Sequence, residues 1–93
     1  MLGYLNPKTF AGGELELDSK AAKRVLGEIG DRLGMSPVEV ALGAHRILNV
    51  QMAEQIRLIT IKRGHDPRRF TLMAFGGAGP LHAGAMISML GMK

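Results

Sequence analysis

The sequence predicts a mostly α chain with one short β element, an incomplete slice of an α/β domain in the order helix, long helix, buried strand, glycine-rich turn, helix. Three observations predict it. Capping residues followed by apolar positions at three- and four-residue spacing open two helices, at Asp18 and at Ser36. The second of these continues to Arg63 with Gly43 as its one interruption. A short, nearly all-apolar run, Phe70-Thr71-Leu72-Met73-Ala74-Phe75, then ends in Gly76-Gly77.

Residues 1–17 read as an irregular or weakly extended lead-in. Asn6-Pro7 and Gly12-Gly13 are turn signals, and Glu14 to Leu17 alternates with the strand period over too short a stretch to define a strand. Asp18 is placed to accept a hydrogen bond from a first-turn amide. Behind it Ala21, Ala22, Val25, Leu26, Ile29 and Leu33 form the apolar stripe of a helix over 18–33, with Gly34 as its C-terminal cap.

Ser36-Pro37-Val38-Glu39 combines a capping Ser, Pro at the first helical position and Glu at the third, which predicts a helix over 37–63. Its apolar residues cover most of the circumference, from Val40 and Ile47 to Ile59 and Ile61. Each large apolar side chain removed from water contributes about 1.5–3 kcal/mol, so such a rod is expected to be buried on several sides. Two short helices cannot cover it, and the chain is therefore expected to be a fragment of a larger protein. Arg63-Gly64 ends the rod and Asp66-Pro67-Arg68 makes a turn. Residues 70–75, bounded by glycines, are expected to form a strand buried on both faces. The glycine-rich loop spans 76–80, and a last helix spans 80–90 with Gly91 as its stop.

Composition narrows the function classes. The chain has 93 residues, no cysteine and a formal net charge of +4. Disulfide frameworks and Cys-type zinc sites are excluded. No run of about 18 apolar residues is present, and the N-terminus lacks a basic region and an apolar core of the secretory type, so a cytoplasmic setting with no membrane partner is expected. The densest basic stretch, Lys62, Arg63, His65, Arg68 and Arg69, could meet phosphate or could simply complement a helix C-terminus.

The chemistry concentrates at Gly76-Gly77-Ala78-Gly79-Pro80, between the expected strand and the last helix. Glycines let a backbone approach a ligand closely, and a helix start offers unpaired amides. Nucleotide or phosphate binding and a bare strand-to-helix turn stand side by side on these residues alone. The loop lacks the Lys-Ser or Lys-Thr of a P-loop, and counting from Gly77 the sixth position of a dinucleotide fingerprint is His82 instead of Gly.

Three stretches carry a resemblance: Met52-Ala53-Glu54-Gln55-Ile56-Arg57, Arg63-Gly64-His65-Asp66-Pro67-Arg68, and Phe75-Gly76-Gly77-Ala78-Gly79-Pro80-Leu81-His82-Ala83. Together with the opening Leu2-Gly3-Tyr4-Leu5-Asn6-Pro7 they resemble the hydantoinase A / 5-oxoprolinase family, whose members include relatives of acetone carboxylase. The resemblance implies an actin-like ATPase fold in a much longer protein, an ATP-dependent hydrolase that activates a small cyclic amide for ring opening, with ATP and Mg²⁺ as cofactors. It further implies that Gly76, Gly77 and Gly79, with His82 in the same motif, form the adenosine loop. The phosphate-gripping hairpin, the acidic Mg²⁺ site and the substrate residues of that family have no counterpart in the chain. No catalytic residue and no metal ligand is assigned, and the chain alone is expected to be inactive. The implied partners are the remaining domains of the parent protein and a hydantoinase B-type subunit.

Other readings stay open at this stage. His82 is a ligand to phosphate or metal, or a hydrogen-bonded structural histidine; His45 and His65 read as surface or helix residues. Arg57 needs a carboxylate or carbonyl partner, for which Glu54 is a candidate, while Asn49, Gln51 and Gln55 are polar residues on the rod that could contact missing domains. Thr60 is expected to bond back to its own helix. A helix-turn-helix around Leu33 to Pro37 would make the chain a nucleic-acid binder, but Val38, Val40, Ala41 and Leu42 occupy the positions that need polar side chains. A helical module that pairs with its own copy is the third reading, and the isolated chain is expected to self-associate.

Overall fold

The computed structural model describes residues 1–93. Its element order is a 3-10 turn Phe10–Gly13, α1 Ser19–Leu33, α2 Pro37–Lys62, 3-10 turns Pro67–Arg69 and Gly79–His82, and α3 Ala83–Leu90. The chain divides into two compact units, Met1–His45 and Arg46–Lys93.

In the first unit, local chemistry sets every helix boundary. The Asp18 carboxylate accepts from the Ala21 amide at 2.9 Å, starting α1. Gly34, with φ +68°, takes the left-handed conformation that lets its own amide and that of Met35 both reach the Gly30 carbonyl. Ser36 and Glu39 then cap α2 reciprocally: the Glu39 amide donates to Ser36 Oγ at 3.2 Å, and the Ser36 amide donates to Glu39 Oε2 at 2.7 Å. The turn between the helices is tight. A Cβ on the buried Gly30 would lie 2.2 Å from the Met35 carbonyl oxygen and 3.3 Å from Val40 Cγ2. The lead-in is irregular, closed by the Leu17 amide donating to the Pro7 carbonyl at 2.9 Å. Tyr4 stacks on His45 with ring centroids 4.9 Å apart.

In the second unit the core is Ala53, Met86 and Leu90, flanked by Met52, Ile56 and Leu72. Met86 and Leu90 are one turn apart on α3 and therefore share a face. At the end of α2, Thr60 donates to the Ile56 carbonyl at 2.8 Å, and the Gly64 and His65 amides turn back to Ile61 and Thr60.

One expectation fails here. The buried strand does not form, and the α/β assignment fails with it: the structure is all helical. Residues 71–75 form no regular element, and Phe70 and Leu72 bond to the last residue. The Leu72 amide donates to the Lys93 carbonyl at 2.7 Å, and the Lys93 amide donates to the Phe70 carbonyl at 3.4 Å. Leu72 turns to the core, but Met73 and Phe75 are 81% and 80% exposed. The physical reason is that a strand exists through its neighbour. Apolar composition specifies a preference for burial and says nothing of who provides it.

The long helix α2 is left largely uncovered, as expected of a rod that two short helices cannot bury. It buries only Asn49 and Ala53, while Ile47, Leu58, Ile59 and Ile61 are exposed. In the second unit its packed neighbour is α3, a helix of 8 residues, which covers one face of the rod.

Candidate functional site

The segment from Gly76 to His82 starts in the open and ends in the core. Residues 73–80 are all exposed. Gly76 has φ +87°, a conformation that other residues adopt at a cost. Gly77 and Gly79 have no such constraint, and a Cβ built on any of the three would meet nothing within 4 Å. The chain's own packing therefore gives no reason for glycine at 77 or 79. Pro80 stiffens the following 3-10 turn, within which the Leu81 amide donates to the Ala78 carbonyl at 3.1 Å.

His82 closes that turn and precedes α3. It is 7% exposed, and its Nδ1 lies 2.6 Å from Oδ1 of Asn49, which is also 7% exposed. An amide oxygen can only accept, so Nδ1 is the donor in this bond. Asn49 thus meets the end of the glycine loop. Sequence reasoning singled out both residues without pairing them; they are 33 positions apart, and no local signal links them.

A second tie binds the same elements. Arg57 donates from its guanidinium to the Met89 carbonyl at 3.3 Å, at the C-terminal end of α3 where carbonyls lack helical partners. That carbonyl, and not Glu54, is the Arg57 partner. Contacts 49 to 82 and 57 to 89 ascend together, the order expected when the end of α2 and the 82–90 segment run in the same general direction.

Within the basic stretch, Arg68 grips Asp66 through Nη2 at 2.8 Å and Nε at 3.1 Å. The Arg68 side-chain hydrogen bonds hold the Asp66 carboxyl below its ordinary value, and the backbone bond from the Arg68 amide adds to this. His65 packs edge-on to Phe70 at 5.6 Å. No three His, Asp or Glu side chains converge into a metal-binding group. No helix is long and apolar enough to cross a membrane.

The acetophenone carboxylase gamma subunit of Aromatoleum aromaticum is 41% identical over 88% of this chain and 11% of its own length. The caprolactamase subunit alpha of Pseudomonas jessenii is 36% identical over 99% of this chain and 13% of its own. The nucleotide-free structure of acetone carboxylase, an enzyme of ATP-dependent acetone carboxylation, matches 98% of this chain with a TM-score of 0.91 and 34% identity, over 13% of that chain. The chain therefore spans roughly an eighth of the length of the relatives it matches. All of residues 1–93 match the family described as hydantoinase/oxoprolinase, and the chain belongs to that family.

Proposed function

We propose that the chain is a segment of an ATP-dependent enzyme that activates the carbonyl of a small substrate, with residues 76–82 as the loop against which the adenosine of ATP packs. A cyclic amide is the substrate class of the ring-opening reading. One observation carries the loop assignment: Gly77 and Gly79 lack side chains where neither backbone conformation nor any neighbour requires it. A bare backbone with open space beside it suits a flat base and ribose, which a Cβ would hold away. Gly76 supplies the turn, and His82 fixes the inner end.

The relatives support ATP use, since one of them is named for ATP-dependent carboxylation. ATP, when bound, would supply a phosphoryl group to activate a poor electrophile. The residues of this chain contribute to that by orienting the nucleotide. The exposed apolar residues of α2, Ile47, Leu58, Ile59 and Ile61, are the surface on which other parts of the longer protein or a second subunit would pack.

An amide NMR titration of the chain with ATP and Mg²⁺ tests the reading. Saturable shifts are expected at Gly76, Gly77, Gly79 and the first residues of α3. Shifts scattered over Lys62, Arg63, Arg68 and Arg69 instead would remove the loop from the proposal, because they would mark nonspecific attraction of phosphate to charge.

A further inference from the structure

We infer that Asn49 is a positioning residue for the glycine loop: through its hydrogen bond to His82 it fixes where the loop ends and which imidazole tautomer His82 holds. The inference deepens the adenosine-loop reading and rests on it for its functional meaning, although its first two readouts need no nucleotide.

The starting point is an amide in an apolar stretch. Asn49 sits between Leu48 and Val50 on α2 and is buried, as is its partner His82. A buried amide or imidazole without a hydrogen bond is destabilising, and an apolar pair would pack in the same place without that cost. Every buried side-chain nitrogen and oxygen of the protein has a partner. The contribution of the polar pair is directional. It accepts one relative placement of His82 and α2, where a Leu–Met contact would tolerate several.

The connection from His82 to the glycines has little slack. His82 is the last residue of the 3-10 turn Gly79–His82, Pro80 fixes one φ within it, and the amides of Leu81 and Ala83 close back onto Ala78 and Pro80. Placing His82 therefore places Gly79. At the other end, Leu72 packs on the core and bonds to Lys93, while 73–80 are exposed. The loop is a span held at Leu72 and at His82, and the second support is adjacent to the glycines. Helix α2 acts as the ruler for both ends of the 82–90 segment, since Asn49 holds its start and Arg57 holds the carbonyl near its finish.

Isosteres separate positioning from direct ligand contact. In a His82→Asn variant the amide nitrogen occupies the place of Nδ1 and can still donate to Asn49. In His82→Gln the amide reaches the place of Nε2 and the Nδ1 donor is lost. Asn49→Leu removes the acceptor from the other side, and the two His82 variants carry the same comparison should that chain not fold.

Three readouts follow in one experiment series. Imidazole nitrogen NMR of the unaltered chain above neutral pH is expected to show His82 with the proton on Nδ1; a proton on Nε2 would overturn the assignment. Without nucleotide, the amide resonances of Gly76, Gly77 and Gly79 are expected to move in Asn49→Leu and His82→Gln and to stay near native in His82→Asn. With ATP, loss of the anchor is expected to raise Kd roughly tenfold, while His82→Asn stays within about twofold. Loss in His82→Asn with His82→Gln near native would overturn positioning in favour of a contact made by Nε2 itself, and equal loss in both would show that the bond to Asn49 is not what holds the loop. If the unaltered chain shows no response to ATP while the first two readouts hold, the adenosine reading fails and the anchor stands.

Discussion

A methyl group on Gly30 would lie 2.2 Å from the Met35 carbonyl oxygen, whereas a methyl group on Gly77 or Gly79 would meet nothing within 4 Å. Both regions join two elements through a glycine-containing turn. At Gly30 the fold explains the residue, because the Met35 carbonyl folds back over α1 while the Met35 amide is bonded to Gly30 itself. At Gly77 and Gly79 the fold leaves the residue unexplained. The difference separates two meanings of glycine that look alike in a sequence. One is internal, set by the chain's own packing; the other is left open by that packing, and on the proposed function it lets a nucleotide approach the backbone.

Substitution at these positions breaks or sharpens that contrast. The largest effect is expected at Gly30→Ala. The obstructing atom is a backbone oxygen inside a hydrogen-bonded turn, which cannot swing aside as a flexible side chain would. The loss of stability should be about 2–3 kcal/mol in urea or thermal unfolding. A loss below about 0.5 kcal/mol would show that the turn relaxes freely and that Gly30 belongs with the loop glycines after all.

Gly77→Ala and Gly79→Ala are expected to leave stability within about 0.5 kcal/mol, because nothing is displaced and no positive φ is imposed. Their effect should appear in nucleotide binding, with ATP affinity lowered about tenfold where a methyl group intrudes on a packed contact. Stability and affinity both unchanged would remove the functional meaning from these glycines.

The same contrast describes what the sequence made legible. Wherever donor and acceptor lie within a few residues, the reading of the residues held: Asp18 with Ala21, Ser36 with Glu39, Thr60 with Ile56, and the left-handed caps at Gly34 and Gly91. Wherever the answer depends on a distant partner, it did not. Phe70 to Phe75 has the composition of a buried strand, yet no strand forms, and its backbone bonds to a distant segment reach only Lys93. Arg57 found a carbonyl 32 residues away in place of the nearby Glu54. Asn49 and His82 were each conspicuous, but their pairing is a property of packing between α2 and the 82–90 segment. The family resemblance was legible because it lies in ordered short motifs, the kind of signal that survives without three-dimensional information.

The smallest expected effect comes from a pair that is local and exposed, Asp66 with Arg68. The Asp66 carboxylate caps the short turn Pro67–Arg69 by accepting from the Arg68 amide at 3.0 Å, and the Arg68 guanidinium closes on the same carboxylate. The guanidinium hydrogen bonds, with the amide bond second, lower the folded carboxyl below its ordinary 3.8. A group lowered on folding stabilises the folded state at pH above its unfolded value, and that contribution is lost as pH falls through the folded value. The sensitive window therefore opens near 3.8 and extends to more acid pH. Because the pair is open to solvent, the contribution to stability is small and salt should reduce it. Carboxyl NMR is the direct measurement. The Asp66 midpoint should lie below 3.8 in the unaltered chain and move upward in Arg68→Gln, which keeps the backbone amide bond but loses the guanidinium. A midpoint that does not move would mean that the amide cap alone holds the carboxylate. In that event even this exposed ion pair would owe its geometry to the turn, and local backbone chemistry would account for the whole of the 66–69 segment as it does for the start of α2.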